Sequence, residues 1–117
     1  MIQLTPHMRI LVATDPADFR RGIDGLACLC RTALKTEPLE GAVFVFRNRS
    51  RTAVKILVYD GQGFWLCHKR FSDAKFRHWP NGQGPVSQLE AHQLQVLLCG
   101  GDPTQTGAPP PWRRVDS

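Results

Sequence analysis

The chain has 117 residues, 42% of them hydrophobic and 21% charged. That is enough apolar content for one domain with a real core, and too much for a disordered chain. No apolar run approaches the ~20 residues of a membrane helix, and "MIQLTPHMRILVAT" lacks the basic leader and long apolar core of a signal peptide. A cytoplasmic protein with four reduced cysteines is therefore expected. The formal charge is +5, with a pI near 9.4. Residues 47–77 carry eight Lys/Arg against two acids, a net +6 that leaves the remainder at −1. Charge concentrated in one region suits an anionic partner.

"RILVAT" (9–14) predicts a short strand buried on both faces. "DPADFRRGIDGLACLCRTAL" then predicts a long helix, with Asp15 as N-cap, Pro16 in the first position and Asp18 at the positive end. Phe19, Ile23, Leu26, Cys30 and Ala33 make its apolar stripe. Gly22 and Gly25 are expected to let the helix backbone approach a sheet. "KTEPLEG" ends the helix at Pro38 and Gly41.

Three strands follow, over 42–47, 52–60 and 63–71. The "DGQG" connection predicts a two-residue hairpin turn with Gly61 first. It sets Tyr59 opposite Phe64, Leu57 opposite Leu66, Lys55 opposite His68 and Ala53 opposite Arg70. A four-residue loop over 48–51 would place Phe46 opposite Ala53 and Phe44 opposite Lys55. One face then carries Val43, Val45, Val54, Ile56, Val58, Trp65 and Cys67 as core. The other carries Phe44, Phe46, Lys55, Leu57, Tyr59, Phe64, Leu66, His68 and Arg70. Its aromatics can stack on bases or serve as core under the last helix; the core reading is preferred, because small domains need aromatic burial.

Ser87 followed by Glu90 predicts a capping box for a short helix through Leu98, ended by Gly100. The expected fold is α+β: N-terminal strand and long helix, three-stranded antiparallel meander, short C-terminal helix. Residues 1–101 form the domain, and 102–117, with Trp112, a flexible Pro-rich tail.

"TDPADFRRGIDGL", "GAVFVFRNRSRTAVKILVYDGQGFWLCHKRF" and "FRHWP" resemble the TnpB accessory proteins of IS66-type insertion sequences. The likeness runs from about Arg9 to Leu98 and rests on the order and spacing of its pieces. The matching residues are Asp18, Phe19, Arg20, Arg21, Gly22, Gly25 and Leu26, then Phe44, Phe46, Lys55, Tyr59, Asp60, Gly61, Gly63, Lys69, Arg70, Trp79 and Pro80. The chain departs from the pattern at Val58–Tyr59, at "FSDAKF" and at His78. The resemblance implies a role beside a transposase in moving a mobile element, with no catalytic residues to carry over.

The meander returns its third strand to the arginine loop. Arg47, Arg49, Arg51, Lys55, Lys69, Arg70, Lys75 and Arg77 are thus the candidate DNA-binding residues. Arg20 and Arg21 oppose the dipole of the predicted helix and are a possible partner interface, with Asp24 in reach of Arg20. Cys28/Cys30 and Cys67/His68 point to different sides, so no metal site is expected. No clustered carboxylates, phosphate loop or activated nucleophile suggests an enzyme, and no cofactor is expected. Two readings stay open: DNA binding at the element ends through the basic hairpin, or a protein adaptor in the transposase complex with little DNA contact. The oligomeric state is open.

Overall fold

Four successive apolar residues without alternation need cover on both sides, and Ile10–Ala13 (β1) are all buried. In the computed structural model, which describes residues 8–105, β1 lies inside a five-stranded mixed sheet. Helix α1 (Ile23–Thr32) connects it to β2 (Val43–Arg47), which runs parallel to it. Strands β3 (Ala53–Tyr59) and β4 (Phe64–Arg70) continue antiparallel. A further strand, β5 (Val86–Leu89), pairs with the other side of β1, so the order is β4-β3-β2-β1-β5. Helix α2 (Ala91–Leu98) follows. The fold is α+β as expected, but the three consecutive antiparallel strands are part of a larger sheet.

The hairpin register between β3 and β4 is the one the glycine turn dictates, with Tyr59 opposite Phe64 and Ala53 opposite Arg70. Gly61 takes φ +98, which favours glycine. Asp60 Oδ1 accepts from the backbone N–H groups of Gln62 and Gly63 (2.9 and 3.0 Å). The register between β2 and β3 differs from expectation by two residues. Phe46 lies opposite Lys55 and Phe44 opposite Leu57. Asn48 N–H donates to Ala53 O, so the four-residue loop spans 49–52 rather than 48–51. A two-residue slip preserves the faces, since side chains alternate with period two.

Each face has its own helix. Val43, Val45, Val54 and Val58 pack with Ile10 and Val12 against Leu94 and Leu97 of α2, together with Phe76 and Trp79. Phe44 and Phe46, both fully buried, pack with Leu11 and Leu57 against Leu26, Ala27 and Cys30 of α1. The aromatics are therefore core, but under the first helix rather than the last. Strand β5, at the opposite edge, delivers α2 to the valine face. Trp65, expected in the core, is 45% exposed and donates Nε1–H to Asp60 Oδ2 at 2.8 Å.

The long N-terminal helix is ten residues, not twenty. Asp18 uses its carboxylate on Arg20, not on a helix end: Oδ1 accepts from Arg20 N–H (2.9 Å) and both oxygens accept from its guanidinium. Gly22 becomes the N-cap. Gly25 does not bring the helix closer to the sheet; a Cβ there would meet Arg21 Cβ at 3.0 Å. Ser87 belongs to β5, and Glu90 caps α2 in a reciprocal box with Gln93. At the start of the expected tail, Gln93 Nε2 donates to Pro103 O (3.3 Å), and Pro103 is buried. Trp112 lies outside the described residues.

Candidate nucleic-acid interface

The arginine loop is built by Asn48. Its Oδ1 accepts from the N–H groups of Thr52 (2.9 Å) and Ala53 (3.1 Å), and its Nδ2 donates to Thr52 Oγ1 (2.9 Å). Those bonds satisfy the loop's donors as an Asx-type side chain does. Arg51 then adopts φ +62, a left-handed conformation uncommon for a long side chain. Its carbonyl accepts from Phe76 N–H at 2.7 Å.

That bond docks the 71–80 connection on the loop. Phe76 is fully buried, with Phe71 at 4.3 Å and Trp79 at 5.8 Å between ring centroids. Trp79 donates Nε1–H to Ala13 O at 2.8 Å. With Phe76 pointing in, its neighbours Lys75 and Arg77 are exposed. They meet Arg49, Ser50 and Arg51 around a shallow depression of about 370 Å³. Arg70 lines an adjoining depression with Lys75, Arg77 and Asp73. Among the described residues, none of Arg49, Arg51, Arg70, Lys75 and Arg77 has an ion-pair or hydrogen-bond partner on its side chain. Five cations at one corner of the sheet are left for solvent.

Three expected site residues are engaged within the chain. Arg47 is only 9% exposed. Its guanidinium donates to Asn48 O (3.2 Å) and Thr14 O (3.4 Å), while Nε has no partner. Burial, reinforced by Arg51 and partly offset by Asp15, pushes its pKa down. Pairing continues past it, from Asn48 N–H to Ala53 O, which keeps Arg47 within the ladder opposite Val54 and carries it inside. Lys55 Nζ donates to Phe19 O (2.9 Å) and Arg21 O (3.1 Å) and sits 5.0 Å from the Phe19 ring centroid. It ties the non-helical approach to α1 onto the sheet. Lys69 Nζ donates to Leu98 O and lies 4.9 Å from the Phe71 ring centroid. A cation there suits the negative end of α2.

Arg20 and Arg21 are also engaged within the chain. Arg20 forms a 2.7 Å ion pair with Asp18, not with Asp24. Arg21 Nη1 donates to Gly25 O at 3.1 Å. Both precede the helix, so neither meets its dipole from inside the first turn. What sequence reasoning missed was Asn48 as the loop's organiser and Phe76 as its anchor. The Asn-x-x-x-Thr spacing was the available signal for the first; the second had none.

Residues 8–108 match the family of IS66 Orf2-like proteins. The chain belongs to that family. Two relatives in Sinorhizobium fredii strain NGR234 share its length. Protein y4hO is 37% identical over 112 residues, covering 93% of this chain and 96% of the relative. Protein y4jC is 34% identical over 110 residues, covering 94% and 93%. Both are described as uncharacterized. No solved structure matches. An IS66 Orf2-like protein has an accessory role associated with transposition, in a family that is generally not catalytic. Among the described residues, no helix is long and apolar enough to cross a membrane, and no three His, Cys, Asp or Glu side chains gather in a metal-holding group.

Proposed function

We propose that this protein is a non-enzymatic transposition factor that binds DNA at the element ends in the cytoplasm, beside the transposase. The observation that carries this reading is the unpaired corner of Arg49, Arg51, Arg70, Lys75 and Arg77. Placing like charges together has a Coulombic cost that an intrachain acid would relieve, and no described acid forms such a pair. Phosphate oxygens supply that missing charge, and a guanidinium presents a fork suited to them. Such contacts position DNA without reading its sequence.

Anisotropy titrations with element-end and scrambled duplexes, at several salt concentrations, test this. Each phosphate neutralised adds about −0.9 to the slope of log K against log salt, so four or five contacts give roughly −4. Arg49→Ala and Arg51→Ala should each reduce the slope by about one, equally on both duplexes. Absence of binding at low salt, with transposase still captured by the protein, would replace this reading by the adaptor role.

A further inference from the structure

The free edge of β4 carries a pattern that fits one partner, a second copy of this chain. Strand β4 is the end strand of the sheet and is seven residues long. Asp60 N–H donates to Gly63 O and Phe71 N–H to Thr52 O, so the odd-numbered residues of β4 bond toward β3. Phe64, Leu66, His68 and Arg70 therefore direct their backbone N–H and C=O groups outward. None of these groups has a hydrogen-bond partner among the described residues. Exposed edges of this kind are usually blunted by proline, charge or a bulge. This one has no proline, and its charge lies in one half: Phe64, Trp65 and Leu66 come first, then His68, Lys69 and Arg70.

That division decides the pairing. In a parallel in-register arrangement each basic residue would face its own copy, which is unfavourable. In an antiparallel arrangement centred on Cys67, Arg70 meets the partner's Phe64, Lys69 the partner's Trp65, and His68 the partner's Leu66. Every basic residue then falls opposite an apolar one. Phe64/Arg70 and Leu66/His68 are hydrogen-bonded pairs in this register, in agreement with the outward groups. Lys69 and Trp65 share a face, and Lys69 is held in place by Leu98 O. Its stem can cover the partner's indole, which is 45% exposed in the single chain.

We propose that the protein forms a two-fold dimer by antiparallel β4–β4 pairing about Cys67, making one ten-stranded sheet. The proposal stands independently of DNA binding. Cys67 would face the partner's Cys67 in a non-hydrogen-bonded pair with Cα atoms about 4.5 Å apart, within disulfide reach.

Sedimentation of the full chain in reducing buffer should give twice the 13.1 kDa monomer mass. With Cys28 and Cys99 changed to Ser, diamide (which takes up the two thiol hydrogens) should yield a Cys67-linked dimer. Cys67→Ser in that background should abolish it. His68→Pro removes an outward N–H and leaves the β3 ladder intact. Trp65→Lys sets Lys opposite Lys69 at two equivalent places. Each should raise the dimer dissociation constant about tenfold or more, with the circular dichroism unchanged. If His68→Pro loses its fold, Trp65→Lys decides alone. A wild-type chain that stays monomeric throughout the micromolar range overturns the proposal. So does a dimer that both folded variants leave intact, or one in which Cys67 links no faster than an exposed Cys99 on its own.

Discussion

Replacing Lys55 by Met tests whether this cation serves the fold or the surface. Its ammonium makes two hydrogen bonds, to Phe19 O and Arg21 O, and lies over the Phe19 ring. A hydrogen bond to a charged group contributes about 1.5–3 kcal/mol, and an exposed cation–π contact about 0.5–1 kcal/mol. One of the two hydrogen bonds is solvent-exposed, and the released carbonyls can reach water, so the lower part of this range applies. Methionine keeps the apolar stem, which leaves a loss of about 2 kcal/mol for the polar contacts. In a domain this size that lowers the melting temperature by roughly 10 °C. Thermal and urea unfolding of Lys55→Met beside Arg51→Ala measures it. Arg51→Ala, on the surface, should cost under about 0.5 kcal/mol. The DNA salt slope should behave in the opposite way, unchanged in Lys55→Met and reduced in Arg51→Ala. A Lys55→Met protein that melts with the wild type, or that keeps its stability and loses the slope, would refute the assignment.

Three further outcomes are expected. Arg47→Met should shift stability by no more than about 1 kcal/mol, because removing a buried, partly unsatisfied charge offsets the lost bonds to Thr14 O and Asn48 O; it should leave the salt slope unchanged, and a steep loss of DNA affinity would return Arg47 to the interface. The Cys30 thiol, pushed up to about 12 chiefly by burial, should resist alkylation in the native protein at pH 8 while exposed Cys28 and Cys99 react, as read by peptide mass spectrometry; equal labelling of Cys30 and Cys28 would contradict the packing of α1. The Asp18 carboxyl is held below its ordinary 3.8, first by the Arg20 side chain and then by the Arg20 backbone N–H. Its contribution to stability is complete above that ordinary value and is lost as pH falls through the lowered folded value. Carbon NMR should find its midpoint below 3.8, moving up in Arg20→Ala; an unperturbed midpoint in the wild type would rule out the clamp.

Local chemistry in the sequence determined much of this protein. The Asp60–Gly63 turn fixed the β3–β4 register because only one pairing lets Gly61 take its positive φ and Asp60 close the turn. The alternation of Val43, Val45, Phe44 and Phe46 separated two faces, and a two-residue slip could not exchange them. The concentration of cations in residues 47–77 was legible too. Other decisions depended on contacts distant in the chain. Asp15–Arg21 has good helix-start chemistry, yet Asp18 is satisfied by Arg20, and Lys55, over thirty residues away, holds the Phe19 and Arg21 carbonyls. "VSQL" has no strand signal strong enough to compete with a capping box until β1 offers an open edge. Which cations reach solvent was likewise a tertiary matter. Arg47, Lys55 and Lys69 look like Arg49, Arg51, Lys75 and Arg77 in the sequence. The first three are tied back to the fold because their ends find backbone carbonyls at Thr14, Phe19 and Leu98, although of the three only Arg47 is buried. Phe76, by binding the Arg51 carbonyl, brings the others together at the surface.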